Sequence, residues 1–156
     1  MRRAGLQLVA ALGASAVAAA VGALGSRGAP ETYPELQKPR WAPPASVFGP
    51  VWTVLYADMG VAAWRLSRRD DARVTLSLHA AQLALNAAWP AAFFSARSRR
   101  VSLAVIVALD LAVTAEIAAA ARRDRLAAAL LVPYLGWTLF ATALNVAVRP
   151  TVAARD

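Results

Sequence analysis

Three stripes of aromatic and polar side chains recur at helical spacing in this sequence, and they are its main candidates for chemistry. Side chains three or four residues apart share one face of a helix. Amide and imidazole groups are costly against lipid, so each stripe is predicted to face the interior of a helix bundle. The stripes consist of Phe48, Trp52 and Tyr56; of His79, Gln82, Asn86, Trp89 and Phe93; and of Tyr134, Trp137, Ala141 and Asn145.

Aromatic rings combined with a few amide donors favour a flat, aromatic and mostly apolar ligand. A metal ion is a poor candidate, because the chain has no cysteine and a single histidine, His79. Two interpretations are open for Gln82, Asn86 and Asn145: contact with a ligand, or hydrogen bonds that join neighbouring helices. Trp64 lies near a cationic helix end and fits an anchor at the membrane interface instead.

Three acidic residues, Asp58, Asp110 and Glu116, lie within otherwise apolar runs. Carboxyl groups at such positions are commonly functional, for example in proton relay or transport. No Lys or Arg occupies the middle of any apolar run, which favours the alternative of protonated or hydrogen-bonded structural carboxyls. Glu116 is also placed within reach of the Arg122–Arg123 pair near its helix end. Both interpretations stay open for these carboxyls and for His79.

The composition indicates which elements position these residues. Of the 156 residues 59% are hydrophobic and only 17% are charged, with a mean hydropathy of +0.47, which is unusual for a soluble domain. The net charge is +8. The cations cluster in short segments between long apolar runs, as in multispan membrane proteins, so nucleic acid is not expected as a partner.

Five apolar runs are each long enough, at about 20 residues, to cross a bilayer as a helix. We predict an all-α, integral membrane bundle that forms one domain over residues 1–156, with helices near 5–25, 46–67, 74–96, 100–121 and 125–148. The alternative for the first run is a cleaved signal peptide with small residues around 18–20. Arg and Lys number nine on the side of the N-terminus and eight on the other, which does not decide the orientation.

The connection over residues 26–45 contains five prolines. Proline fixes the backbone and removes an N–H donor. Irregular backbone would leave polar groups unpaired inside a bilayer, so this segment is predicted to lie over the mouth of the bundle as a lid.

The order of several motifs resembles the TspO/MBR family of tryptophan-rich sensory proteins, and the resemblance covers nearly the whole chain. The motifs are 36–44 (LQKPRWAPP), 48–56 (FGPVWTVLY), 59–60 (MG), 82–86 (QLALN), 89–90 (WP), 93–94 (FF), Asp110, 133–134 (PY), Trp137, 140–142 (FAT) and 144–145 (LN).

This resemblance implies a five-helix membrane bundle, usually a homodimer, with a pocket roofed by the loop after the first helix. It implies a porphyrin, protoporphyrin IX or haem, as ligand, with no required cofactor and no metal site; some members also bind cholesterol. The pocket residues that it implies are Trp41, Pro44, Phe48, Trp52, Tyr56, Asn86, Trp89, Phe93, Trp137, Ala141 and Leu144.

Two positions depart from the family pattern. Thr32 precedes Tyr33 where the family often has a tryptophan, which removes one aromatic wall of the lid. The segment 146–149 (VAVR) lacks the tyrosine of a proposed sterol motif, which weakens the case for a sterol partner.

Three functions are compatible with these residues. The first is a receptor or transporter-like protein that binds porphyrins and regulates tetrapyrrole levels. The second is an enzyme that degrades porphyrin in light, with Trp52 and Trp137 as redox partners; no other catalytic residue is predicted, because the sequence has no nucleotide loop or strong general-base constellation. The third is a stress-linked membrane scaffold or sensor. In each case we expect an integral protein of a bacterial cell membrane.

Overall fold

The computed structural model describes residues 2–96 and 98–150, so predictions for Met1, Arg97 and residues 151–156 lie outside the described residues. Apart from its turns and irregular connections, the described chain is helical except for one pair of two-residue strands. Its helices are α1 (Arg2–Gly25), α2 (Ala29–Glu35), α3 (Phe48–Ser67), α4 (Arg73–Pro90), α5 (Arg99–Ala121) and α6 (Arg125–Ala147), with a 3-10 turn at Ala45–Val47 and a π-helical turn at Ala91–Ser95. Strands β1 (Leu36–Gln37) and β2 (Arg149–Pro150) pair antiparallel.

The all-α prediction is confirmed, and the differences from the predicted bounds have local causes. The predicted helix 74–96 is α-helical only to Pro90, which has no N–H for the carbonyl of Asn86, and it then widens into the π-helical turn. The segment predicted as a lid is not helical throughout but contains the short helix α2. Pro30 lies in the first turn of α2, where a missing N–H costs nothing.

The five long helices form a closed ring. Helix α1 packs against α3 and α4, α5 packs against α4 and α6, and α3 packs against α6. Large apolar side chains such as Leu6 and Leu111 point outward and are exposed, whereas polar side chains such as His79, Gln82 and Glu116 are buried. Large apolar side chains on the outside, together with several polar groups inside an otherwise apolar core, fit a surrounding of lipid.

Three of the long helices are long and apolar enough to cross a membrane by length and composition, namely Ala4–Gly25 within α1, α5 and α6. Helix α3 carries Asp58 and Arg65, and α4 carries His79, Gln82 and Asn86, which lower the hydropathy of both.

Glycine allows two helices to approach closely in the ring. A Cβ atom added at Gly60 of α3 would lie 2.6 Å from Leu12 Cδ2 and 3.2 Å from Leu12 Cα of α1. The 2.6 Å distance is too short for two carbon atoms and the 3.2 Å distance is tight, so a side chain at this position would require Leu12 to shift.

Asp124 organises the end of the bundle opposite the lid. Its carboxylate caps α6 by accepting hydrogen bonds from the backbone N–H groups of Leu126 and Ala127, and it forms ion pairs with Arg65 at 3.0 Å and Arg69 at 2.7 Å. Burial raises the pKa of this carboxyl, but the hydrogen bonds from Arg69, from the Ala127 N–H and from Arg65 outweigh it. The net result is a pKa well below the ordinary value of 3.8.

We expect Asp124→Asn to lower the free energy of unfolding by about 1 to 3 kcal/mol, because hydrogen bonds to a charged group are lost at a buried site. Asp71→Asn is the matched control: Asp71 pairs with Arg123 at 3.2 Å, but its side chain is 76% exposed, so the loss should stay below about 1 kcal/mol. Thermal unfolding in detergent measures both.

The lowered pKa also predicts a pH dependence. The stability supplied by Asp124 is fully present above pH 3.8 and is lost as the pH falls toward the folded-state pKa. The difference in melting temperature between wild type and Asp124→Asn should therefore shrink on acidification. Equal melting temperatures for the two proteins at neutral pH would contradict the role given to this carboxylate.

Candidate ligand cavity

A cavity of about 660 Å³ opens beneath the lid, between α1, α2, the first half of α3 and the end of α4. Its volume lies within the range of about 300 to 1,000 Å³ that is typical of ligand sites. Its walls consist of Ala19, Gly22, Ala23, Ser26, Ala29, Pro30, Tyr33, Ala45, Phe48, Gly49, Trp52, Thr53, Tyr56, Asn86, Trp89, Pro90 and Phe94.

The α3 stripe supplies the aromatic wall. Phe48, Trp52 and Tyr56 follow each other at one-turn intervals and all three line the cavity. Trp52 also packs at ring-centroid distances of 5.5 Å from Tyr56, 6.2 Å from Tyr134 and 6.4 Å from Trp137. Its indole ring therefore separates the cavity from α6.

The end of α4 supplies the second wall. Asn86 and Trp89 line the cavity together with Phe94 from the π-helical turn. Phe93, which the resemblance implied, is not among the lining residues; its ring stacks on Trp89 at 5.3 Å and meets Phe94 edge-on at 4.8 Å. It therefore supports the wall from behind.

The remaining implied site residues lie outside these walls. Trp137 of α6 contacts Phe48 and Trp52 with its ring, at 5.8 Å and 6.4 Å between centroids. Trp41 is half exposed and packs edge-on against Phe140 at 5.6 Å. The other three are Pro44, which is exposed, and Ala141 and Leu144, which are buried in α6.

Sequence reasoning missed the wall that α1 contributes. The side chains of Ala19, Gly22, Ala23 and Ser26 are too small to indicate a ligand. A Cβ atom added at Gly22 would lie 3.6 Å from the Tyr56 hydroxyl. The usable signal was the run of small residues itself, because small side chains facing large aromatic ones leave space between helices.

Tyr33 holds the lid in place and also lines the cavity. Its hydroxyl donates a hydrogen bond to the Pro43 carbonyl at 2.8 Å, and its ring meets Phe48 edge-on at 5.5 Å. Burial raises the pKa of Tyr33, so the hydroxyl stays a neutral donor at physiological pH. The pairing of β1 with β2 fixes the other end of the lid.

A chain of hydrogen-bonded side chains, which we name the polar chain, leads from the cavity wall into the centre of the ring. Tyr56 donates to Asn86, Asn86 donates to Tyr134 at 2.9 Å, and Tyr134 donates to Gln82 at 3.0 Å. The predicted amides therefore join helices, and Asn86 does so while lining the cavity. In full, the polar chain consists of Tyr56, Asn86, Tyr134, Gln82, His79 and Glu116.

The intramembrane carboxyls differ in their surroundings. Glu116 Oε1 lies 2.8 Å from His79 Nδ1, a partner that sequence reasoning did not identify. Asp110 accepts a hydrogen bond from Thr142 at 2.7 Å between α5 and α6. Asp58 is partly exposed on α3. Among residues 2–96 and 98–150, no group of three potential metal ligands comes together.

Comparisons with known proteins agree with the sequence motifs. The model of the TspO/MBR family matches residues 9–150. A translocator protein of Homo sapiens is 42% identical over 118 residues, covering 72% of this chain and 70% of its own length. A tryptophan-rich sensory protein of Cereibacter sphaeroides is 40% identical over 131 residues, covering 81% and 83%. The protein CrtK of Rhodobacter capsulatus is 36% identical over 139 residues, covering 86% of each chain.

Proposed function

The chain belongs to the TspO/MBR family of membrane proteins, and from this premise we propose that it is a receptor or transporter-like protein that binds a porphyrin in the cavity beneath its lid. Protoporphyrin IX and haem are the proposed ligands, and regulation of tetrapyrrole levels is the proposed role. No further cofactor is needed for this function.

The observation that carries this proposal is the wall chemistry of the cavity. Phe48, Trp52 and Trp89 offer aromatic rings to a large apolar macrocycle, and Tyr56 and Asn86 add polar groups at one point of the wall. Many apolar contacts with few polar ones are typical of small-molecule sites. A porphyrin meets both demands, because its ring system is flat and its carboxylates accept hydrogen bonds.

We further propose that all five long helices cross the membrane. The polar side chains that lower the hydropathy of α4 are buried inside the ring, so its lipid-facing surface stays apolar. The short connections at residues 68–72 and 122–124 then make consecutive helices antiparallel.

A homodimer is the proposed assembly. Ala10 and Ala14 of α1 and Ala104 of α5 are exposed small residues, which allow close helix contact in lipid, whereas Ala18 and Gly22 are already used inside the ring. Light scattering of the detergent-solubilised protein should give twice the chain mass of 16.4 kDa. A mass of one chain would contradict the proposal.

Titration with protoporphyrin IX in the dark tests the binding function. Trp52 and Trp89 line the cavity, so saturable quenching of tryptophan fluorescence is expected. Absence of saturable quenching, together with no retention of porphyrin after gel filtration, would leave the scaffold or sensor alternative as the better account.

Light-driven porphyrin degradation is the second candidate function, and the contact between two indole rings favours it. Trp52 lines the cavity, and Trp137 lies behind it at 6.4 Å between ring centroids, so an oxidised Trp52 would have a neighbour that can be oxidised in turn. The bound porphyrin would act as the photosensitiser. Under illumination, Trp52→Phe should keep much of the binding but slow porphyrin loss, whereas equal rates would contradict this second candidate.

A further inference from the structure

The polar chain ends at a buried acid–base pair and begins at the cavity wall. Tyr56 lines the cavity with its hydroxyl 3.6 Å from a Cβ atom added at Gly22, whereas His79 and Glu116, at the far end, are 5% and 0% exposed. Such a connection links the hydrogen bonding of a cavity ligand to the position of a proton deep inside the ring of helices.

The first three bonds of the polar chain, from Tyr56 to Gln82, are donated away from the cavity. The Tyr56 O–H donates to Asn86 Oδ1, and Asn86 Nδ2 donates to the Tyr134 hydroxyl. The Tyr134 O–H donates to Gln82 Oε1, which leaves Gln82 Nε2 at 3.2 Å from His79 Nδ1. Gln82 Nε2 also donates to the Met59 sulfur at 3.7 Å, which favours the same orientation of its amide.

This direction determines where the proton of the acid–base pair lies. An amide nitrogen can only donate, so His79 Nδ1 must present its lone pair to Gln82. Glu116 Oε1 lies 2.8 Å from the same nitrogen, and with a lone pair on that nitrogen this contact is a hydrogen bond only if a Glu116 O–H shares the lone pair with the Gln82 N–H. Glu116 is then a neutral carboxylic acid beside a neutral imidazole, which suits a buried site because no charge has to be desolvated.

The same side chains can form the same bonds with every donor reversed. If the Glu116 proton moves to His79 Nδ1, the new N–H donates to the Glu116 carboxylate and to a turned-over Gln82 amide. The turned-over Gln82 amide then donates to the Tyr134 hydroxyl. The Tyr134 hydroxyl donates to the Asn86 amide oxygen, and the Asn86 amide nitrogen donates to the Tyr56 hydroxyl. No proton enters or leaves and no bond within the chain is lost, but Tyr56 now accepts from Asn86, and its own O–H is free to donate into the cavity.

We propose that the polar chain is a two-state switch of hydrogen-bond polarity at the cavity wall. Without a ligand the Tyr56 O–H is satisfied by Asn86, whereas the reversed state leaves it unpaired. A ligand carboxylate at Tyr56 accepts a hydrogen bond from this O–H. This bond stabilises the reversed state, in which the proton of Glu116 has moved to His79. The inference rests on the proposed function, since a porphyrin supplies such a carboxylate, and it makes His79 and Glu116 positioning residues for acidic ligands.

Infrared spectroscopy of the ligand-free protein tests the starting state. The difference spectrum of wild type minus Glu116→Gln at neutral pH should contain the carbonyl stretch of a protonated carboxylic acid. Absence of this band would mean that Glu116 is ionised without ligand and would overturn the switch, while leaving porphyrin binding itself unaffected.

Addition of protoporphyrin IX tests the coupling. In wild type the acid band should disappear at saturation. Tyr134→Phe breaks the polar chain at a residue that does not line the cavity, so this variant should bind porphyrin and keep the band. Tyr56→Phe interrupts the chain at the cavity end and should also keep the band, which covers the case that Tyr134→Phe does not fold.

Retention of the band in saturated wild type, or its loss in both variants, would overturn the inference. If protoporphyrin IX does not bind at all, the proposed function fails separately. The same comparison is then made with pyrene-1-butyrate, which carries a carboxylate on a smaller aromatic surface. A band that persists when this probe is bound, or a probe that does not bind, overturns the switch as well.

Discussion

Replacing Trp52 with alanine should weaken the binding of protoporphyrin IX by about 10- to 100-fold. The indole ring lines the cavity and offers the largest aromatic surface of α3 to a flat ligand. Losing the burial of such a side chain costs roughly 1.5 to 3 kcal/mol, and 1.4 kcal/mol corresponds to about tenfold in affinity. Fluorescence titration with the porphyrin in the dark measures the change.

Two further tryptophan variants complete this experiment. Trp64→Ala is the control, because Trp64 donates to the Ala4 carbonyl at the opposite end of the bundle, far from the cavity wall. Trp137→Ala should also weaken binding, by less than Trp52→Ala, since its ring supports Trp52 from behind. Wild-type affinity in the Trp52 and Trp137 variants, with binding abolished by Trp64→Ala, would remove the ligand from this cavity.

Replacing Gly22 with phenylalanine should reduce porphyrin affinity by more than about 100-fold. A Cβ atom at Gly22 has ordinary contact distances of 3.6 Å to the Tyr56 hydroxyl and 3.8 Å to Pro90, so the backbone accepts a side chain there. The phenyl ring beyond that Cβ would occupy the space between α1, α3 and α4 that the ligand needs. Equilibrium binding of the porphyrin measures the loss.

Gly13→Phe is the matched control on the same helix. A Cβ atom at Gly13 meets no atom within 4 Å, and the residue is exposed on the outer face of α1. The two variants should have similar melting temperatures in detergent but very different affinities. Equal affinities, or a loss of folding in Gly22→Phe alone, would contradict the position assigned to the ligand.

The helices were predictable because their signals are local. An apolar run of about 20 residues and a charged segment at each end do not depend on the rest of the fold, so the bounds of α5 and α6 differ from the prediction by a single residue at most. Helix α2 was not predicted, because the prolines of residues 26–45 exclude a helix throughout the segment but do not locate a short one, and Pro30 lies at a position that tolerates proline.

The cavity was only partly predictable, because its walls depend on which helices become neighbours. The stripes on α3 and α4 identified Trp52, Tyr56 and Asn86 from spacing alone. Spacing cannot show that α1, rather than α6, lies across the cavity from Trp52. The motif resemblance implies Trp137 at the ligand; its ring contacts Trp52 and does not line this cavity, and its part in ligand binding stays a prediction.

The partner of Glu116 was not identified from the sequence. His79 lies 37 positions earlier in α4, which packs directly against α5, but matching the two residues requires the relative rotation and height of these two helices. The sequence suggested instead the nearby Arg122–Arg123 pair, which follows along the chain. Arg123 in fact pairs with Asp71 at the surface.

The pairing of β1 with β2 has a consequence for the order of assembly. The lid precedes most of the bundle in the sequence, but its strand partner, residues 149–150, follows the last helix. A chain is synthesised from its N-terminus, so the β1 end of the roof stays unpaired until α6 has been made, while Tyr33 can already hold the α2 end against Phe48. A single proteolytic cut between α6 and β2 would free the β1 end again without touching any residue that lines the cavity.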